Sequence, residues 1–112
     1  MKQSVLFILL SFSYAGLVSP TDQAMLHYTH ILFEWEQIPE TNYYEIEIAE
    51  DSEFSNSIFN TTDNTLCFIE ENIIEWSHSY FWRVRSISDA GIAGDWSSPF
   101  IFTTSEKISS ST

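Results

Sequence analysis

The paired carboxylates Glu45 and Glu47 are the first residues whose spacing could do chemistry. They alternate with apolar residues between Tyr43 and Glu50, and two acids that are two residues apart on a strand lie on the same face. A general acid and a general base would need a cleft that perturbs their pKa values. The alternation predicts an outward position on an open strand face, so the sequence favours a structural role for both carboxylates over catalysis.

Metal-ligating residue types occur in two short segments. His27 and His30 are three residues apart, and this spacing places two side chains on opposite faces of a strand. Residues 50–53 carry hard oxygen ligands but lack the Asp-x-Asp-x-Asp-Gly spacing of a calcium loop. We predict that the histidines lie in a solvated loop or edge and that residues 50–53 form a solvated turn, with Phe54 returning to the core. No metal or other cofactor is expected.

A serine nucleophile would need a histidine and an acid that converge on it at a strained turn. His78 lies between Ser77 and Ser79, but the sequence has no Gly-x-Ser-x-Gly segment. So small a domain also lacks the pocket that such chemistry requires. The sequence therefore predicts that the chain is not an enzyme.

Aromatic side chains are the remaining binding candidates, because the sequence has 9 Phe, 5 Tyr and 4 Trp. Strand alternation directs one group of rings inward, where large rings fill the core. This structural group is Trp35, Tyr44, Tyr80 and Trp82. A second group occupies outward strand positions and loops, where it could contact a partner or a sugar unless Glu and Arg side chains cover it. This second group is Tyr43, Trp76, Phe81 and Trp96.

Composition limits the partners. The 112 residues include 16 acidic and 4 basic side chains, for a formal net charge of −12. Nucleic acids and anionic membrane surfaces attract basic proteins, so we predict neither as a partner. The apolar content of 44% excludes a disordered chain. We expect a monomer whose partner is a neighbouring domain, another extracellular protein or a polysaccharide.

The two ends of the chain predict segments outside the folded domain. Residues 1–15 carry Lys2, an apolar run and small residues up to Ala15, which is the layout of a secretory signal peptide. The run ends at Ser19-Pro20, short of the ~20 residues of a membrane helix. We predict cleavage after Ala15, no membrane insertion of the product, and secretion or a cell-surface location. Residues 105–112 are typical of a flexible linker or of a frayed terminus.

Export determines how two further residues are interpreted. Cys67 is the single cysteine, and an unpaired thiol in an oxidising compartment survives best when it is buried. We therefore predict a core position for Cys67, with an intermolecular disulfide as the alternative. Asn60-Thr61-Thr62 is an acceptor sequence for N-linked glycans, which matters only in a host that glycosylates this signal.

The rest of the chain is predicted to form β-strands. Alternating apolar and polar residues indicate three clear strands, at 31–36, 43–50 and 80–87. Shorter strands are expected at 58–59, 66–68 and 100–103. Six or seven short strands in ~100 residues favour an immunoglobulin-like antiparallel β-sandwich, with a small barrel as the alternative.

Several motifs follow one another in a characteristic order. They are Ser19-Pro20, Phe33-Glu34-Trp35, residues 44–54, Tyr80-Phe81-Trp82-Arg83-Val84-Arg85, Trp96-Ser97 and Phe102-Thr103-Thr104. Together they resemble a fibronectin type III domain of the kind found in secreted bacterial multidomain proteins. The resemblance covers residues 19–104.

The resemblance implies roles for individual residues. Trp35 would be the core tryptophan of the second strand and Tyr44 would begin the third. Tyr80, together with Ile74, would form the tyrosine corner of the family. No Arg-Gly-Asp tripeptide occurs, so the resemblance does not imply integrin binding.

The resemblance also implies that two strands lie side by side in one sheet. Glu45 and Glu47 would then face Arg83 and Arg85 across the strand pair, as opposite-charge pairs that each contribute roughly 0.2 to 1 kcal/mol. Guanidinium groups in this position would keep both carboxylates ionised.

The sequence as a whole predicts a signal peptide at 1–15, a fibronectin type III-like β-sandwich of about seven strands at 16–104, and a Ser/Thr-rich tail at 105–112. We expect an exported, non-catalytic module that acts as a spacer or protein-interaction domain in the N-terminal part of a larger extracellular protein. The alternative is a carbohydrate-binding module that uses Tyr43, Trp76 and Phe81.

Overall fold

The computed structural model describes residues 16–39, 41, 43–65 and 67–107, and of residues 67–69 it describes the backbone alone. The predicted signal peptide and residues 108–112 of the predicted tail lie outside the described residues. All regular structure in the described part is β-strand. The strands are β1 (Leu17–Ser19), β2 (Ala24–Leu26), β3 (Ile31–Trp35), β4 (Tyr43–Ala49), β5 (Ser57–Asp63), β6 (Cys67–Glu70), β7 (Ser79–Ile87) and β8 (Phe100–Thr104).

The strands form two sheets. One sheet has the order β1-β3-β6 and the other the order β2-β8-β7-β4-β5. All pairs are antiparallel except β2 with β8, which is parallel. The predicted sandwich is therefore confirmed, and the barrel alternative is wrong because the strands do not close into a single sheet.

Strands β1 and β2 account for the difference between about seven predicted strands and the eight observed. They are the two halves of one edge segment, which pairs with β3 before Pro20 and with β8 after it. Proline has no N–H to donate and therefore interrupts a ladder of hydrogen bonds. Each half is only three residues long, too short for alternation to reveal it.

The core lies between the sheets and is built from the inward positions of the long strands. Phe33, Trp82 and Phe102 are fully buried, and the Phe33 ring lies 5.0 Å from Trp82 and 5.9 Å from Phe102, centroid to centroid. The rings of Trp35 and Tyr44 are 6.0 Å apart. The predicted inward positions of Trp35, Tyr44, Tyr80 and Trp82 are all confirmed.

Two tyrosine hydroxyl groups fix the connections between the sheets. The Tyr80 hydroxyl accepts a hydrogen bond from the Glu75 N–H at 2.9 Å, and Ile74 beside it is buried. This is the predicted tyrosine corner, and burial raises the pKa of Tyr80 above its ordinary value. The Tyr44 hydroxyl accepts a hydrogen bond from the Ile38 N–H at 2.8 Å in the same manner.

Candidate functional site

The predicted carboxylate–guanidinium pairs lie on the outer face of the five-stranded sheet. Strands β4 and β7 align Glu47 with Arg83 and Glu45 with Arg85. Arg83 donates to Glu47 Oε1 through Nε at 3.0 Å and Nη2 at 2.7 Å, and Arg85 donates to Glu45 Oε1 through Nε at 2.7 Å. The predicted pairing is confirmed, because each carboxylate accepts a hydrogen bond from the guanidinium opposite it.

The face that holds these pairs is less open than the sequence suggested. The side chains of Arg83 and Glu47 are only 24% and 11% exposed, and aromatic rings cover the guanidinium. The Arg83 guanidinium lies 4.0 Å from the Phe54 ring centroid and 4.1 Å from the Trp96 ring, and that of Arg85 lies 4.2 Å from Trp96. We call Phe54, Trp96 and the two ion pairs together the stacked face.

Trp96 is placed on the stacked face by a segment that follows β7 back along its length. Gly94 donates through its N–H to the Ser86 carbonyl, and Ser97 donates to the Val84 carbonyl, each at 2.9 Å. The Ser97 hydroxyl accepts from the Val84 N–H at 3.1 Å. The arginines therefore cover Trp96, which was a predicted partner contact, and its stacking energy is used within the fold.

Phe54 returns to a buried position, as predicted. Its ring is buried, but beneath Arg83 on the outer face rather than in the connected cluster between the sheets. The turn that carries it is organised by Asp51, whose carboxylate accepts from the Ser55 hydroxyl at 2.6 Å and from the Asn56 N–H at 2.8 Å. These hydrogen bonds lower the pKa of Asp51, and the bond from the Ser55 hydroxyl has the largest effect.

The predicted turn at residues 50–53 is held by hydrogen bonds from Ser55 and Asn56 to the Asp51 carboxylate. Across the described part of the chain, no cluster of three or more His, Cys, Asp or Glu residues could hold a metal ion. The expectation that no metal or cofactor is bound stays a prediction. Nor does any helix in residues 16–39, 41, 43–65 and 67–107 have the length and apolarity to cross a membrane.

A second aromatic region lies at one end of the sandwich. The connection from β2 to β3 and the connection from β6 to β7 meet there and line an open cavity of about 280 Å³. We call it the loop cavity. Its lining residues are His27, Tyr28, Thr29, His30 and Trp76.

The two histidines are in a loop, as one of the two predicted alternatives had it. The opposite-face argument from strand geometry does not apply to them, because both line the same cavity as Trp76. Tyr28 between them is 53% exposed. Tyr28 was not among the predicted contact residues, although the run His27-Tyr28-Thr29-His30 places three planar side chains within four residues.

The loop that carries Trp76 is fixed by hydrogen bonds. The ring of His78 donates through Nδ1 to the Trp76 carbonyl at 2.7 Å, a bond that requires Nδ1 to carry the proton because a carbonyl only accepts. The Ser77 N–H donates to the Ser105 carbonyl at 3.0 Å, and the Thr104 hydroxyl donates to the Glu75 carbonyl at 2.6 Å. One wall of the loop cavity is therefore positioned before any ligand arrives.

The four predicted contact residues do not share one surface. Tyr43 is 47% exposed and pairs with Ile87, whereas Phe81 is half-buried and pairs with Ala49 at the other end of the same two strands. Six residue steps separate these pairs, which is ~20 Å along a strand. Trp96 belongs to the stacked face, and Trp76 is the one of the four that lines the loop cavity.

The chemistry of two residues, Asn60 and Cys67, would depend on export, and both residues belong to edge strands. Asn60 is exposed on β5, the last strand of the five-stranded sheet, opposite Glu47. The backbone of Cys67 pairs with Glu34 in the three-stranded sheet, but its side chain lies outside the described part of the structure. Its core position stays a prediction.

The two packed sheets and the tyrosine corner define an immunoglobulin-like β-sandwich. No protein-family model matches the chain, and no curated protein matches its sequence. Solved structures do match its fold. The chain is similar to a Fn3-like protein from Clostridium thermocellum, with a TM-score of 0.61, 17% identity and coverage of 88% of this chain and 96% of that one. The fold is therefore that of a fibronectin type III-like domain.

Two further matches are parts of much longer proteins. A β-1,2-glucanase from Parabacteroides distasonis matches with a TM-score of 0.61 and 16% identity over 84% of this chain. An α-L-rhamnosidase from Streptomyces avermitilis matches with a TM-score of 0.60 and 17% identity over 81% of this chain. The matched regions cover only 13% and 10% of those two chains.

Proposed function

We propose that this protein is an exported, non-catalytic module that separates or docks neighbouring domains of an extracellular protein. The observation that carries the proposal is the position of the two ends of the sandwich. The Gly16 carbonyl accepts from the Glu36 N–H at 2.8 Å, just beyond the end of β3, whereas the Ser105 N–H donates to the Leu26 carbonyl at 2.9 Å, before β3 begins. The chain therefore enters and leaves at opposite ends.

Such a layout suits an N-terminal module that holds its first residues away from the domain that follows it. The longest strand, β7, has nine residues, which corresponds to ~30 Å at ~3.3 Å per residue. The glucanase and the rhamnosidase support the proposal, because each contains a similar sandwich as about a tenth of its chain. The ion-paired state of Glu45 and Glu47 supports a non-catalytic role.

The carbohydrate-binding alternative, in which Tyr43, Trp76 and Phe81 act together, has less support. A flat sugar-binding platform needs its rings side by side, and these rings lie on different parts of the sandwich. The docking role does not depend on such a platform.

The test is the intact mass and the N-terminal sequence of the native secreted product. We expect an N-terminus at Gly16 and a mass larger than that of residues 16–112, because the module would be joined to a further domain. A product that retains Met1 inside the cell would overturn the proposed export, and a product that ends at Thr112 would overturn the spacer role. Turnover of a polysaccharide by the isolated full chain would overturn the non-catalytic role.

A further inference from the structure

We propose that the loop cavity binds a neutral saccharide, with Trp76 and Tyr28 as the stacking rings and His27 and His30 as hydrogen-bonding groups. The proposal rests on the proposed non-catalytic role and gives the module a ligand of its own. It differs from the platform of Tyr43, Trp76 and Phe81 in that its residues line one concave site.

The lining of the loop cavity has the chemistry that a sugar ring requires. A pyranose presents a face of C–H groups that packs on an aromatic ring, and a rim of hydroxyl groups that need hydrogen-bond partners. The cavity is lined by two aromatic residues, Thr29 and two histidines, and the His27 ring also contacts the Ser105 hydroxyl through Nδ1 at 3.1 Å. A mostly apolar lining with a few polar groups is the usual composition of a small-molecule site.

The size of the loop cavity limits the ligand to a small one. Its volume of about 280 Å³ lies just below the ~300 to 1,000 Å³ of typical small-molecule pockets. An open cavity of this size suits one or two rings of a longer polysaccharide, whose remaining units extend into solvent. We therefore expect weak binding to single sugars and stronger retention on polymers, where many sites are offered together.

The charge of the chain selects neutral saccharides over acidic ones. The formal net charge is −12 with neutral histidines, and both Arg83 and Arg85 are engaged by carboxylates on the stacked face. Among the residues that the structure describes, no arginine or lysine lines the cavity. A uronic-acid polymer would approach a protein of like charge without a cation to meet it.

The position of Trp76 favours binding because its loop is already ordered. Hydrogen bonds from His78 and to Tyr80 hold the two sides of this loop, so little conformational entropy is lost when a ligand arrives. The exposed Tyr28 completes the site from the facing loop.

The experiment is native affinity electrophoresis of the full chain in gels that contain a soluble neutral polysaccharide. A panel of β-glucan, xyloglucan, galactomannan and arabinoxylan gels is compared with a polygalacturonate gel and a gel without polymer. We expect retardation in at least one neutral gel and none in polygalacturonate. Tyr28→Ala should weaken the apparent affinity by about tenfold, which corresponds to the ~1.4 kcal/mol of one stacking contact.

Tyr43→Ala is the matched control, because Tyr43 is exposed to nearly the same extent as Tyr28 but lies outside the cavity. We expect it to leave the retardation unchanged. Trp76→Phe retains a ring and should bind more weakly than the wild type, and Trp76→Ala should lose retardation while its circular dichroism spectrum stays that of the folded chain.

Three outcomes would overturn the saccharide site. They are normal mobility in every neutral gel, equal losses from Tyr28→Ala and Tyr43→Ala, and retardation only by polygalacturonate. Loss of a stoichiometric complex with a neighbouring protein domain in Tyr28→Ala, with normal mobility in all gels, would make the cavity a protein contact instead. Normal mobility leaves the spacer role intact, whereas hydrolysis of the polymer would contradict the non-catalytic role.

Discussion

Trp96 and Trp76 are both half-buried tryptophans outside the core, but their neighbours differ. Two guanidinium groups lie on the Trp96 ring, and both guanidiniums are held in turn by carboxylates. Trp76 lies in a loop whose hydrogen bonds hold the backbone, and its side chain lines an open cavity. Whether a tryptophan near the surface stabilises the fold or is accessible to a ligand therefore depends on the groups that stack on its ring.

The largest difference between the two regions should appear on truncation of each tryptophan. Trp96→Ala removes the ring from two guanidiniums and should lower the free energy of unfolding by ~3 kcal/mol. Trp76→Ala removes a ring that borders solvent and should cost ~1 kcal/mol. Urea denaturation at neutral pH measures both, and equal losses would mean that the two tryptophans have the same structural role.

The next largest effect is the difference in coupling energy between two side-chain pairs, Glu47 with Arg83 on the stacked face and Glu75 with His78 near the loop cavity. A double-mutant cycle of Glu47→Gln and Arg83→Met should give a coupling energy of ~1 to 2 kcal/mol, above the ~0.2 to 1 kcal/mol of exposed pairs. The control cycle is Glu75→Gln with His78→Asn, since that pair lies near the loop cavity and is mostly exposed, with 3.4 Å between His78 Nε2 and Glu75 Oε1. We expect a coupling energy near zero there. A larger value for the control pair would contradict the assignment of strong pairing to the stacked face.

The smallest expected effect is a loss of stability at acidic pH in the turn that carries Phe54. The folded-state pKa of Asp51 lies below its ordinary value of 3.8, so the stability that its ionised carboxylate contributes is complete above 3.8. It is lost as the pH falls through the lower, folded-state value. The stability difference between the wild type and Asp51→Asn should therefore shrink on acidification, as measured by urea midpoints from neutral pH down to about pH 2. A difference that is constant with pH would show that the carboxylate is not the group responsible.

The strands with long alternating patterns could be predicted from the sequence. Residues 31–35, 43–49 and 79–87 each alternate a buried and a more exposed position over most of their length, because one face meets the opposite sheet. The pairing of Glu47 with Arg83 also followed, once a resemblance had placed the two strands side by side. These features depend on local periodicity and a known strand order.

The remaining features depend on contacts between distant parts of the chain. The loop cavity brings together His30, from the connection between β2 and β3, and Trp76, from the connection between β6 and β7. Neither connection has a sequence pattern that predicts its contact with the other. Phe54 was expected to return to the core, and it is buried, but its ring packs against the guanidinium of Arg83 on the outer face. Alternation indicates which side of a strand is buried, but not what covers the other side.

The opposite positions of Gly16 and Ser105 also determine how the protein would bear a mechanical load. A pull on the two ends acts along the strands, so the hydrogen bonds of β1 with β3 and of β2 with β8 are loaded in shear. Bonds loaded in shear must break together, whereas bonds at the end of a hairpin that is pulled apart break one after another. Forced unfolding is governed by the rate of crossing that barrier and not by the equilibrium stability. The parallel contact of β2 with β8 would therefore act as a mechanical clamp under a load applied between Gly16 and Ser105.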